Sequence, residues 1–153
     1  MQNYVIDKLD SLILYALGEN PRFSLNELQR KTGILSTSTI SRRIKKLRQN
    51  GFIKGERLVL DYEKLGYGFI TVTFVKARYG PGYVDRVAEK IKKIQGVESM
   101  VFLLGDIDFL VTTYSKSKED YGHILEELTK IEEIERTDSR TVLKAYDQNR
   151  IKI

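Results

Sequence analysis

The sequence predicts an α+β protein: an N-terminal helix-turn-helix domain followed by a ferredoxin-like βαββαβ sandwich. Three observations carry this expectation. Three short amphipathic segments crowd the first fifty residues. A strand-helix-strand pattern then occurs twice, and the apolar positions Val84, Val87, Ala88, Ile91 and Ile94 return 37 residues later as Tyr121, Ile124, Leu125, Leu128 and Ile131. The charge is also unevenly placed: residues 1–50 carry nine Lys/Arg against four acids, whereas residues 51–153 hold seventeen of each. That asymmetry gives the first part a polyanionic partner and the second a different task. The expected divisions are 1–52, a connecting strand and hinge over 53–68, and 69–153.

Composition removes several classes of function. The absence of cysteine excludes disulfides, thiolate metal sites and cysteine nucleophiles, and a single histidine, His123, excludes a histidine-rich zinc or catalytic centre. His123 lies beside an apolar stripe and reads as a surface residue. No apolar run approaches the roughly 18 residues of a membrane span. The N-terminus lacks a basic region followed by a small-residue cleavage site, so a cytoplasmic location and no membrane partner are expected. No metal and no cofactor are called for.

The elements follow in order. Leu9, Leu12, Ile13, Ala16 and Leu17 share one stripe of a helix expected to stop before Gly18. Asn20-Pro21 turns the chain. Ser24-Leu25-Asn26-Glu27 forms a capping box that opens a second helix, closed at Thr32-Gly33. After a Ser/Thr turn, Ile40, Ile44 and Leu47 at i, i+4 and i+7 predict a third helix to about residue 50, closed by Gly51. Its opposite face holds Arg42, Lys45 and Lys46, with Arg43 and Arg48 on the flanks. A solvated helix face usually mixes charge signs for i,i+4 support, and this one carries only positive charge. Side chains near the start of such a helix reach base edges, and Lys/Arg further along grip phosphates. Thr37, Ser38, Ser41 and Arg42 are therefore assigned to base readout, and Arg43, Lys45, Lys46 and Arg48 mainly to phosphate contacts on double-stranded DNA.

Residues 52–60 read as an extended hairpin or connecting strand, and 61–68, with Gly66 and Gly68 around Tyr67, as a hinge. A β-branched and aromatic run predicts a strand over 69–75. Gly80-Pro81-Gly82 leads into a helix ending at Gly96, and a strand follows over 97–104. Gly105-Asp106-Ile107-Asp108 turns tightly into a strand over 109–114. Ser117 caps the next helix, and a last strand is expected over 135–146. Two helices cover one face of such a sheet, so the other needs cover; Phe74, Phe102, Leu104, Phe109 and Val111 are the candidates for it, and a second copy of the chain is the expected cover.

Over its whole length the chain resembles the Lrp/AsnC group of feast/famine regulators. The likeness runs through Leu9-Asp10, Asn20-Pro21-Arg22, Ser41-Arg42-Arg43-Ile44-Lys45-Lys46-Leu47, Gly51-Phe52-Ile53-Lys54-Gly55, Leu65-Gly66 and Gly105-Asp106-Ile107-Asp108-Phe109-Leu110. The resemblance implies a DNA reader, a second domain that dimerises through its sheet, higher assembly of dimers, and an amino acid or similar effector bound between dimers. It departs at one place: the family's Gly-Leu-Ser-Pro-Ser-Thr-Val turn is here Gly33-Ile34-Leu35-Ser36-Thr37-Ser38-Thr39-Ile40, one residue longer and without the proline.

The effector site is assigned to Gly105, Asp106 and Asp108, where two carboxylates sit close enough to hold an ammonium group, with Asp138, Ser139 and Thr141 of the last strand completing a polar pocket. Two other functions compete. An enzyme using the paired aspartates as acid and base lacks a nucleophile, a phosphate loop and a cofactor motif. A DNA-compacting architectural protein without an effector is the stronger alternative, since basic helices and oligomers suit it equally.

Overall fold

The computed structural model describes residues 4–146. The chain divides into two units, the first running to Val59 and the second spanning Leu60–Ala145. The division falls inside the expected connector.

The first unit holds three helices. α1 (Lys8–Glu19) opens on a capping box in which Asp7 accepts the Asp10 N–H and Asp10 accepts the Asp7 N–H. It runs through Gly18, two residues past the expected end, because Asn20 supplies the C-cap by donating its N–H to the Ala16 carbonyl. α2 (Leu25–Thr32) has the expected Ser24/Glu27 box and ends on Gly33 at φ +70°, where glycine avoids the Cβ penalty of the left-handed region. α3 (Thr37–Gln49) is capped by Ser36. Ile13, Ala16, Leu28, Ile34, Ile40 and Leu47 form the buried centre. Residues 53–60 take no regular structure, in contrast to the expected strand. A strand needs partners for its N–H and C=O groups, and none of the described strands pairs with this segment.

The second unit has the order β1 (Phe69–Ala77), α4 (Tyr83–Ile91), β2 (Val97–Phe102), β3 (Phe109–Ser115), α5 (Lys118–Thr129) and β4 (Ile134–Thr141). The strands lie side by side as β2-β3-β1-β4, every neighbour antiparallel. This is the βαββαβ sandwich read from the 37-residue repeat. β4 ends at Thr141, five residues short of expectation; the last bond along its edge with β1 runs from the Val142 N–H to the Ile70 carbonyl, one residue from the start of β1. α4 likewise stops at Ile91, and turns carry the chain through Ile94 to Gly96.

Alternation decides which face each strand residue serves. Val75, Ala77, Phe109 and Val111 pack with Val87, Ile91, Tyr121, Ile124, Leu128 and Ile131 under the helices. Phe109 and Val111 are thus corrected: they lie on the helix-covered face, not the free one. Phe102 pairs with Phe109 and belongs to that same side. The free face carries Phe74, paired with Leu110 and Asp138, and with it Ile70, Val72 and Val101. The misassignment has a simple cause: a continuous apolar run shows no alternation, so the face of each residue is set by register alone.

Candidate nucleic-acid interface and effector turn

The extra residue of the turn before α3 is absorbed ahead of the helix. Ile34 is buried in the core and Leu35 stands 94% exposed. Ser36 is the N-cap, with its hydroxyl 2.7 Å from that of Ser38, so Thr37 and Ser38 occupy the first two helical positions. With Ile40, Ile44 and Leu47 turned inward, Ser38, Ser41, Arg42, Lys45 and Lys46 face outward and are exposed. Among the described residues no carboxylate pairs with Arg42, Lys45 or Lys46, so this face stays cationic.

The two flanking arginines are held differently. Arg48 pairs with Glu56 at 2.8 Å, both half exposed. Arg43 turns toward α1, where a single terminal nitrogen, Nη1, donates to Asp7 Oδ2 at 2.7 Å and to Asp10 Oδ1 at 2.8 Å. Asp10 is 1% exposed and also accepts the Tyr4 hydroxyl at 2.8 Å. The bonds to Asp10 and then Asp7 push the Arg43 guanidinium above its ordinary value. The bond from the Asp10 N–H, followed by that from Arg43, holds the Asp7 carboxyl below its own.

The Gly105 to Asp108 turn joins β2 to β3. It is closed by the Leu103 N–H on the Asp108 carbonyl at 2.7 Å and by the Asp108 N–H on the Val75 carbonyl at 2.9 Å. Gly105 has φ +142° and open space around it, and Asp106 is exposed. Asp108 is 2% exposed and fully engaged: Oδ2 accepts the Ala77 N–H at 2.8 Å, Oδ1 accepts the Tyr83 hydroxyl at 2.9 Å, and Lys76 Nζ lies 3.5 Å away. The two aspartates therefore have opposite surroundings, one open to solvent and one spent inside the fold.

The β4 residues do not join this turn within the chain. Asp138 is on the free sheet face, where it pairs with Arg140 at 2.8 Å, whereas Ser139 points to the helices and bonds the hydroxyls of Thr73 and Tyr121. Thr141 lies opposite Thr71, six residues along β1 from Ala77, or roughly 20 Å at the usual rise per strand residue. A polar cluster in sequence is split by strand alternation into two faces. A cavity of about 600 Å³ opens at the other end of the sheet, lined by Tyr62, Tyr67, Gly96, Tyr114, Lys116 and Ile124, and includes none of the expected effector residues.

The sequence reading missed Tyr4, Asp7 and Asp10 around Arg43, and Lys76 and Tyr83 around Asp108. One signal was available. Asp10 falls three residues before Ile13, on the buried stripe of α1, and a carboxylate there needs a cation.

A trihelical unit with a bare cationic third helix, joined to an α/β sandwich, defines a DNA-binding regulator with a separate sensing domain. The pattern described as the Lrp/AsnC ligand binding domain matches residues 70–151, and that of the winged helix-turn-helix DNA-binding domain matches residues 6–54. The chain belongs to the Lrp/AsnC family of transcription regulators. It is 31% identical to the HTH-type transcriptional regulator FL11 of Pyrococcus furiosus, over 94% of this chain and 93% of that protein. The structure of Escherichia coli AsnC superposes with a TM-score of 0.85 at 27% identity, covering 97% of this chain and 99% of the other. A transcriptional regulator of Neisseria meningitidis, solved as a complex with L-Met, superposes at 0.84 with 26% identity, over 94% of this chain and 93% of the other. These relatives are regulators, not enzymes. No helix among the described residues is long and apolar enough to cross a membrane.

Proposed function

We propose that the chain is a sequence-specific cytoplasmic DNA-binding regulator whose assembly and DNA affinity respond to an amino acid or similar small zwitterion. The observation that carries the DNA side of this reading is the outward face of α3, where Arg42, Lys45 and Lys46 are exposed and unpaired by any described carboxylate. Thr37, Ser38, Ser41 and Arg42 lie on the first two turns and serve base edges; Lys45, Lys46 and Arg48 serve phosphates. Arg48 can exchange Glu56 for phosphate at little cost, since an exposed ion pair is worth only about 0–1 kcal/mol.

Assembly is assigned to the free sheet face. Ile70, Val72, Phe74, Val101 and Leu110 share it, and a second copy of the same face is self-complementary about a two-fold axis. The dyad then presents two α3 helices to two half-sites, and dimers assemble further.

The effector reading rests on the open half of the β2–β3 turn together with the L-Met bound by the Neisseria relative. Gly105 leaves room for backbone approach and Asp106 offers a free carboxylate to an α-ammonium group. Asp108 shapes the turn. A thermal-shift screen of the twenty amino acids tests this, because a ligand that binds only the native state raises stability by mass action. At least one amino acid should raise the melting temperature and change the affinity for DNA. A chain that binds DNA without sequence preference and answers to none of the twenty is the architectural protein instead.

A further inference from the structure

We propose that Arg43, although it belongs to the basic run of α3, stays bound to α1 and does not swing out to grip a phosphate, and that it acts as the positioning residue that sets the rotation of α3 about its own axis. The inference rests on the DNA-binding role of α3 and goes beyond it.

At about 100° per residue, Arg43 stands roughly 40° from Leu47, at the edge of the buried stripe, and about 100° from Arg42. Its side chain leaves α3 toward α1, and both hydrogens of Nη1 are taken there, by Asp7 and Asp10. Asp10 is the decisive partner. It is fixed from three sides, by the Arg43 guanidinium, the Tyr4 hydroxyl and the Asp7 N–H, and it is almost wholly buried. Swinging Arg43 out to a phosphate would strand a buried carboxylate without its cation, one of the most costly changes a folded protein can make. A phosphate in water-filled surroundings cannot offset that loss, so the guanidinium stays where it is.

The clamp constrains one degree of freedom that apolar packing leaves soft. Ile40, Ile44 and Leu47 fix how close α3 lies to its neighbours, but a smooth apolar stripe tolerates a small roll. The Arg43 bonds are directional and remove that roll. Arg42 and Lys46 flank Arg43 on α3, one residue before and three after, so a roll of α3 sweeps both across the DNA groove. Asp7 is also the N-cap of α1, so the same contact ties the start of α1 to the middle of α3.

The test uses full-length Arg43→Gln, Asp10→Asn and the double variant, each assayed well below its own melting temperature. Affinities are measured by fluorescence anisotropy for a duplex recovered by selection from a randomised pool and for unselected duplex, over a salt series. Each single variant should lose about tenfold in the ratio of selected to unselected affinity, and the double variant should be no worse than the worse single, because both disable one clamp. The slope of log affinity against log salt on unselected duplex should match wild type. A slope reduced by about 0.9 for each lost phosphate contact in Arg43→Gln, with Asp10→Asn binding normally, would overturn the proposal in favour of a phosphate contact. A fallen melting temperature with an unchanged affinity ratio would overturn it in favour of a merely structural bridge. Should Asp10→Asn not fold, Asp7→Asn on the exposed side of the clamp takes its place: a smaller loss of the ratio supports the proposal, and an unchanged ratio sinks it. A wild-type protein that binds both duplexes equally would instead overturn the sequence-specific reading beneath it.

Discussion

The Asp108 carboxylate accepts the Ala77 N–H at 2.8 Å, at the one point where the β1–β4 register shifts. The Ala77 N–H points to the β3 side, where the β1–β3 ladder has already ended at the Val75–Phe109 pair, and the Asp108 side chain just ahead of β3 supplies the partner the ladder no longer offers. Asp108→Ala would leave the buried Ala77 N–H unpaired, at about 1–3 kcal/mol, and would also take the partner from the part-buried Tyr83 hydroxyl. The melting temperature should fall by many degrees. Asp106→Ala should leave it unchanged and instead abolish the response to the amino acid found by screening. Differential scanning fluorimetry with and without that amino acid separates the two; equal melting temperatures for both variants would refute the division of labour.

Tyr83 gives the same contact a pH signature. Burial, followed by the bond to Asp108, pushes its phenol above the ordinary 10.0, and burial and Asp10 do the same for Tyr4. A raised value means that the protonated form is favoured by folding, so this stabilisation is complete below 10 and is lost as pH rises through the folded value. Absorbance titration of the nine tyrosines should show late-ionising components, and Tyr83→Phe should remove one of them. An unaltered titration curve in Tyr83→Phe would contradict the bond.

On α3, Arg42→Ala should cost roughly 1–3 kcal/mol on the selected duplex and almost nothing on unselected DNA, as expected for a bidentate base contact. Lys46→Ala should weaken both alike and lower the salt slope by about 0.9 for each phosphate contact removed. Anisotropy titrations that found Arg42→Ala equally mild on both duplexes would take Arg42 out of base readout.

Phe74 sits between Leu110 and Asp138 on the free sheet face. Phe74→Asp should place a carboxylate beside Asp138 and drive the protein to monomers at micromolar concentration, with its circular dichroism intact. Sedimentation velocity would show the change in mass, and an unchanged oligomer would move the interface elsewhere.

Gly96 makes a separate stability prediction. Its φ is +93°, and a Cβ there would stand 2.7 Å from Ile124 Cδ1 and 3.1 Å from the Tyr114 carbonyl. Gly96→Ala should destabilise by about 1–3 kcal/mol through backbone strain and the clash together, measurable by urea denaturation.

Much of this was legible in the sequence, where local rules decide. Ser24/Glu27 announced α2, Ser117 announced α5, and the stripes from Val84 and Tyr121 marked the helices that cover the sheet, because capping and a 3.6-residue period act within one element. Failures came where the answer depended on a distant strand. Nothing near Phe109 or Val111 tells which face they serve, and nothing near Val142 tells that the pairing with β1 ends there. The site divides in the same way. The outward cations of α3 follow from its own period, but the partner of Arg43 lies 33 residues away and that of Asp108 lies 31 away. Both aspartates looked alike as neighbours in a turn, and only the Ala77 N–H and the Tyr83 hydroxyl, both distant in sequence, distinguish them.

Since both oxygens of Asp108 are spent on the protein, the turn that carries Gly105 and Asp106 is held in shape by the fold itself, so the proposed effector site would be formed in advance. Such preorganisation spares the ligand the entropy of ordering a loop, which otherwise subtracts from affinity. Association should then proceed in one step, its observed rate rising linearly with ligand concentration and showing no plateau. If the proposed site is right, a small molecule of few polar groups can bind usefully there, and the response should follow its concentration without a lag.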